Sequence, residues 1–269
     1  MATSDVGDGP LVVLVHGVGI GAWAFAELAS SLAADNRVLV PDRRGYGPSA
    51  AGAADVPPSA AVGEQVDDLL ALLAASGVGA ATWVGVSGGA TLVLALAMTA
   101  PWAVRAAVVH EPVFGPLAPD LHAALQAAAA RLAGSGPGPA GVLEFMAGLV
   151  GEERLAALPA SARDAIVRRQ EVVRAEVPAF LEFAPTDADL ARLADLALVA
   201  AVGSTSPPWR RLAAAVLGER AGARVEVVDG ARHLPQLEAP AAFEKVIRST
   251  GGAREPAQPS SAAGHPLVG

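Results

Sequence analysis

The sequence predicts an α/β fold in which one open, mostly parallel sheet is flanked by helices and interrupted by an inserted helical cap. Three observations carry that prediction. The aliphatic runs Leu11–Val15, Arg37–Val40, Ala81–Val86, Val104–Val109, Leu196–Val202 and Arg224–Val228 are near-continuous and not alternating, the pattern of strands covered on both faces. The segments between them carry helical spacing, and strand–helix–strand repetition favours right-handed crossovers in a parallel sheet. Finally, the gap between Val109 and Leu196 is too long for a single crossover.

Taken in order, Leu11–Val15 opens the sheet and Arg37–Val40 follows. Val62, Val66, Leu69, Leu70 and Leu73 then recur on one helical stripe. Ala81–Val86 leads through a glycine-rich turn into the apolar helix Ala90–Ala100, which Pro101 terminates. Beyond Val104–Val109, helical patterns around Leu117–Leu132, Val142–Val150 and Ala162–Phe183 form the cap, with a Gly/Pro-rich, flexible link at 134–139. The strands Leu196–Val202 and Arg224–Val228 complete the sheet, and Phe243, Val246 and Ile247 mark a last helix. The expected organisation is a core of 9–112 and 190–250, a helical cap of 113–189, and a disordered tail of 251–269 rich in Gly, Ala, Pro and Ser.

Composition narrows the function classes. With 52% apolar residues in 269, the chain can bury a large core, which excludes general disorder. A formal charge of −8 with scattered basic residues argues against nucleic acid as a partner. The absence of cysteine excludes disulfides, thiolate nucleophiles and Cys-ligated metals. No charge occurs from Leu69 to Val104, yet glycines at 77, 85, 88 and 89 break the stretch below the roughly 18 apolar residues of a membrane helix. The acidic start has no basic n-region, so the expectation is a cytoplasmic protein with no membrane partner.

Gly85-Val86-Ser87-Gly88-Gly89 reads as G-x-S-x-G. In a glycine-rich chain the pattern alone is weak, but it lies between a strand and a helix, where a tight turn holds a serine out of its own backbone. The helix amino terminus offers unpaired N–H groups to developing negative charge. Of the five histidines, His233 follows the last strand and a glycine turn and is best placed to take a proton from Ser87. His16 reads as structural, while His122 and His265 are expected in solvent.

On these motifs the chain resembles α/β-hydrolase-fold enzymes over about residues 10–250. His16-Gly17-Val18 stands where the family places its oxyanion-hole loop, and Asp42-Arg43-Arg44-Gly45-Tyr46-Gly47-Pro48-Ser49 is similar to the D-x-R-G-x-G-x-S turn. The resemblance implies that Ser87 is the nucleophile and His233 the base, with the N–H groups of Val18 and Gly88 as the oxyanion hole. It makes Asp42 and Arg44 turn residues.

The acid departs from the family pattern, because Gly203-Ser204-Thr205-Ser206-Pro207-Pro208 contains no carboxylate. Some relatives carry it one strand earlier, where this chain has Glu111, and Glu111 is the expected acid. Asp187, Asp189, Asp229 and a Ser–His dyad aided by Ser206 or water stay open. Trp23, Phe114, Phe145 and Leu234 are candidates to line the substrate pocket.

The implied reaction is cleavage of a carboxylic ester, lactone or thioester of an uncharged, largely apolar small molecule, without metal or organic cofactor. Alternatives are C–C hydrolysis, perhydrolysis, hydroxynitrile cleavage, or a ligand-binding protein that has lost catalysis. The segment before Leu11 is too short for the two antiparallel strands that open most family members. A bare sheet edge and a homodimer are therefore expected.

Overall fold

The computed structural model describes residues 1–47, 61–113, 115, 117–136 and 138–250. The Pro48-Ser49 end of the turn motif, Phe114, Pro137 and the tail 251–269 lie outside the described residues. The strands are β1 (Thr3–Val6), β2 (Leu11–Val15), β3 (Arg37–Pro41), β4 (Ala81–Val86), β5 (Val104–His110), β6 (Leu198–Gly203) and β7 (Arg224–Val228). They form one sheet in the order β1-β3-β2-β4-β5-β6-β7. All pairs are parallel except β1 with β3.

The helices supporting the sheet are α1 (Ala26–Leu32), α2 (Val62–Ser76) and α3 (Gly88–Thr99), then, after the insertion, α10 (Arg211–Ala221), α11 (Pro235–Glu238) and α12 (Pro240–Arg248). The crossover from β2 to β3 runs one way along the sheet, while those from β3 to β4 and β4 to β5 run the other. Right-handed connections therefore put α1 on one face and α2 and α3 on the opposite face. In α2, Val66, Leu69 and Leu73 are buried on one stripe, and Gly77 ends the helix in the left-handed region (φ 79°). Every residue of α3 from Gly88 to Ala97 is buried, which explains why its sequence is apolar all round. Trp83 is fully buried beside it, its indole N–H bonded to the Ala103 carbonyl at 2.9 Å.

Between β5 and β6 stand, among the described residues, six further helices: α4 (Pro119–Gly134), α5 (Pro139–Val150), α6 (Glu152–Ala157), α7 (Ala160–Arg168), α8 (Gln170–Leu181) and α9 (Asp187–Ala191). The pattern read as one helix over Ala162–Phe183 is two, broken at Arg169, whose φ of −105° and ψ of 16° leave the helical region. The 134–136 link is tied down by Arg174, which donates to the carbonyls of Leu132 and Gly136.

The expectation that both opening strands are missing is corrected by β1. Four residues suffice for one antiparallel strand on β3, and it takes the edge position expected to lie bare. Its sequence, Thr-Ser-Asp-Val, is short and polar, as an edge strand must be to avoid pairing with other chains. Among the described residues no helix is long and apolar enough to cross a membrane.

Candidate active site

Parallel pairing aligns the carboxyl ends of β4, β5 and β6: Val86 stands opposite His110, and His110 opposite Ala201. Side chains just past these ends share one crevice, where open α/β sheets place their sites. Ser87 occupies the single residue between β4 and α3, with φ 57° and ψ −124°. A β-substituted residue pays strain there, which the surroundings must hold in place. They do so by close packing. A Cβ on Gly85 would lie 2.5 Å from the Gly89 carbonyl oxygen, and one on Gly89 only 2.2 Å from that of Val15. Ser87 N–H donates to the His110 carbonyl at 2.9 Å. Gly88, as the first residue of α3, has an N–H with no intrahelical acceptor.

Among the described residues only one other non-glycine residue has positive φ: Glu111, at 48°. It follows β5 directly, its N–H held by the Ala201 carbonyl at 3.1 Å. Its carboxylate is buried and fully engaged. Oε1 accepts from the Gly203 N–H at 3.2 Å and from the Ser206 hydroxyl; Oε2 accepts from His233 Nδ1 at 2.7 Å and faces Arg210 Nε at 3.5 Å. Of the candidate acids, Glu111 is the one bonded to His233. The loop after β6, which lacks a carboxylate, instead supplies donors to Glu111. It also braces the histidine loop, since Ser204 Oγ accepts from Gly230 N–H and Thr205 donates to the Ala231 carbonyl.

These contacts set the charges. Burial works to raise the Glu111 pKa, but His110, His233 and Arg210 outweigh it and hold the carboxyl well below the usual range. Burial, aided by the nearby Arg210 charge, pushes His233 down to about 4 against the pull of Glu111. Its imidazole is therefore neutral at physiological pH, with Nδ1–H donating to Glu111 and a free lone pair on Nε2, across the ring. His110 is also buried and kept neutral, its Nε2 on the Arg232 carbonyl at 2.9 Å.

The loop carrying Val18 is braced from beneath. His16 Nε2 accepts from the Arg43 N–H at 3.1 Å, Arg43 donates to the His16 and Gly17 carbonyls, and Gly19 N–H donates to the Tyr46 hydroxyl at 3.0 Å. Arg43 and Tyr46 in turn bond Glu176 of α8, an ion pair in which both side chains are 2% exposed. Asp42 holds the Ala22 N–H at 2.9 Å, and Arg44 pairs with Glu64 and Asp68 on α2.

A small cavity of about 30 Å³ is lined by Ser87, Val18, Phe145, Val177, Phe180 and Arg210. A larger cleft of about 690 Å³ between α4, α5 and α6 does not contain Ser87, but shares Leu125, Phe145 and Leu149 with the cavity. Val18 and Phe145 thus stand beside Ser87. The other two pocket candidates within the described residues do not. Leu234, buried in the core, lines a separate hollow with Val150 and Leu237, and Trp23 sits 37% exposed in a short 3₁₀ turn (Ala22–Phe25). His122 is half-buried in α4 and not fully in solvent. Among the described residues no three His, Asp or Glu side chains gather as a metal site. Arg210 was missed in the sequence, where the Arg210-Arg211 pair after Pro-Pro-Trp reads as surface.

A sequence-family profile described as the alpha/beta hydrolase family matches residues 12–246. A comparison with curated proteins found no match. Among solved structures, the chain is similar to a hydrolase from Pseudomonas aeruginosa PA01 (TM-score 0.76, 22% identity, 93% of this chain and 94% of that one). It is similar to a thermophilic esterase from Thermogutta terrifontis, bound to malate (0.74, 25%, 92% and 91%). It is also similar to the enol-lactonase from Burkholderia xenovorans LB400 (0.75, 18%, 93% and 94%). The match spans both halves of the sheet, the elbow at Ser87 and the histidine loop, and the chain belongs to the alpha/beta hydrolase family.

Proposed function

We propose that the protein is a serine hydrolase that cleaves a carboxylic ester, lactone or thioester through a covalent acyl-enzyme. The observation that carries this reading is the buried 2.7 Å contact between His233 Nδ1 and Glu111 Oε2, made at the end of the strand beside Ser87. His233 Nε2 takes the hydroxyl proton as Ser87 Oγ attacks the carbonyl carbon. Glu111 fixes the tautomer and offsets the imidazolium charge that then forms. The oxyanion is met by the N–H groups of Gly88 and Val18, each such donor contributing about 3 kcal/mol. His233 returns the proton to the leaving alcohol. A water molecule then repeats the sequence on the ester carbonyl and releases the acid.

The similarity to an esterase and an enol-lactonase supports this reaction class. The cavity at Ser87 is narrow, and Leu125, Phe145 and Leu149 line both it and the larger cleft, which has room for an acyl chain. The test is a fluorophosphonate probe read by peptide mass spectrometry. Labelling confined to Ser87 is expected, together with release of 4-nitrophenol from short-chain 4-nitrophenyl esters. A folded protein that stays unlabelled overturns the reading in favour of a ligand-binding protein.

A further inference from the structure

Among the described residues two arginines are buried, Arg43 and Arg210, and they are satisfied very differently. Arg43 spends its guanidinium on Glu176, Gln65 and two carbonyls. Arg210 faces Glu111 only through Nε, at 3.5 Å, and its Nη1 and Nη2 have no hydrogen-bond partner among the described residues. A buried charged donor without a partner is expensive, and each one in a folded protein calls for something that completes it. Arg210 is 2% exposed and lines the same cavity as Ser87, whose other walls there are apolar. Its Cζ lies 4.7 Å from the Trp209 ring, which fixes the plane of the fork.

We propose that Arg210 binds a carboxylate of the substrate, so that the favoured esters are monoesters of short dicarboxylic acids. This rests on the reading of Ser87 as nucleophile, and it replaces the uncharged substrate expected from the apolar cap. The two bare terminal nitrogens form a planar fork that matches a carboxylate in bidentate fashion. A phosphate dianion fits less well, since Glu111, already bonded to His233, stands on the other side of the guanidinium and repels a second charge.

The experiment uses monomethyl succinate, glutarate and adipate, each paired with the neutral methyl ester of matching length. Hydrolysis is followed by pH-stat, and binding to the Ser87→Ala variant by calorimetry. The intact enzyme is expected to prefer at least one monoester over its neutral partner. Arg210→Met is expected to lower the charged-to-neutral ratio of kcat/KM by about 10²-fold, and Arg210→Lys, which keeps one point charge, by less. Binding to Ser87→Ala reads the subsite even if no ester is turned over, which separates this proposal from that of the reaction. Equal binding of charged and neutral partners by Ser87→Ala overturns it. So does an Arg210→Met loss that falls equally on both esters, which assigns Arg210 to holding Glu111 alone.

Discussion

Replacing Glu111 with glutamine changes one oxygen to an amide nitrogen, yet the surrounding donors leave the new side chain no good orientation. Oε1 accepts from both the Gly203 N–H and the Ser206 hydroxyl, and Oε2 from His233 Nδ1. If the glutamine oxygen stays with Gly203 and Ser206, its NH₂ faces Nδ1. His233 must then move its proton to Nε2, leaving no lone pair to receive the Ser87 proton. If the amide flips, its NH₂ meets the Gly203 N–H, donor against donor in a buried site, at about 1–3 kcal/mol. The first arrangement is cheaper, and it removes the base. Wrong-tautomer substitution in a serine protease lowers kcat by about 10⁴, near 5.5 kcal/mol of transition-state stabilisation, and a loss of 10³–10⁴ is expected here. The assay is kcat and KM on a 4-nitrophenyl ester beside thermal unfolding, with Ser87→Ala as the zero. A well-folded Glu111→Gln enzyme within tenfold of the parent refutes the assignment of Glu111 as the acid.

Two further outcomes follow from the charges. With His233 held down to about 4, the base is neutral above that pH and protonated below it, so kcat/KM is expected to stay level from neutrality to about pH 5 and fall beneath. An acid limb near the ordinary histidine value of about 6.5 contradicts the proposed cause, provided circular dichroism shows the fold intact. Glu176→Gln strands the buried Arg43 charge and is expected to cost about 3–5 kcal/mol of unfolding free energy by urea titration; a loss under about 1 kcal/mol counts against the network.

Much of the fold was legible because β2, β4, β5 and β6 are buried on both faces and α2 on one; Arg224–Val228, read as covered on both faces, is instead an edge strand with Val225 and Val227 exposed. Leu11–Val15 and Ala81–Val86 announce themselves by unbroken aliphatic residues, and the six strands read from sequence are present with shifts of at most two residues at their ends. β1 was not legible, since Thr3–Val6 is polar and exposed and is held to β3 by backbone pairing and the Asp5–Arg37 ion pair, neither of which leaves an apolar signal. The break between α7 and α8 was hidden because apolar spacing continues across Arg169. At the site, Ser87 and His233 stand beside glycine turns that follow strands, a local signal. Glu111 showed through the empty loop after β6. What stayed hidden is non-local. Ser206 meets Glu111 across 95 residues and Arg43 meets Glu176 across 133, and no short-range pattern records that a charge will be buried rather than solvated.

The pairing of Arg43 with Glu176 also bears on how the interior can open. That ion pair rivets a cap helix to the turn supporting the Val18 loop, so swinging the whole helical layer away would bare two charges and unseat the backbone that faces the reacting carbonyl. The route that leaves this pairing intact is the larger cleft, whose Leu125, Phe145 and Leu149 also line the cavity at Ser87.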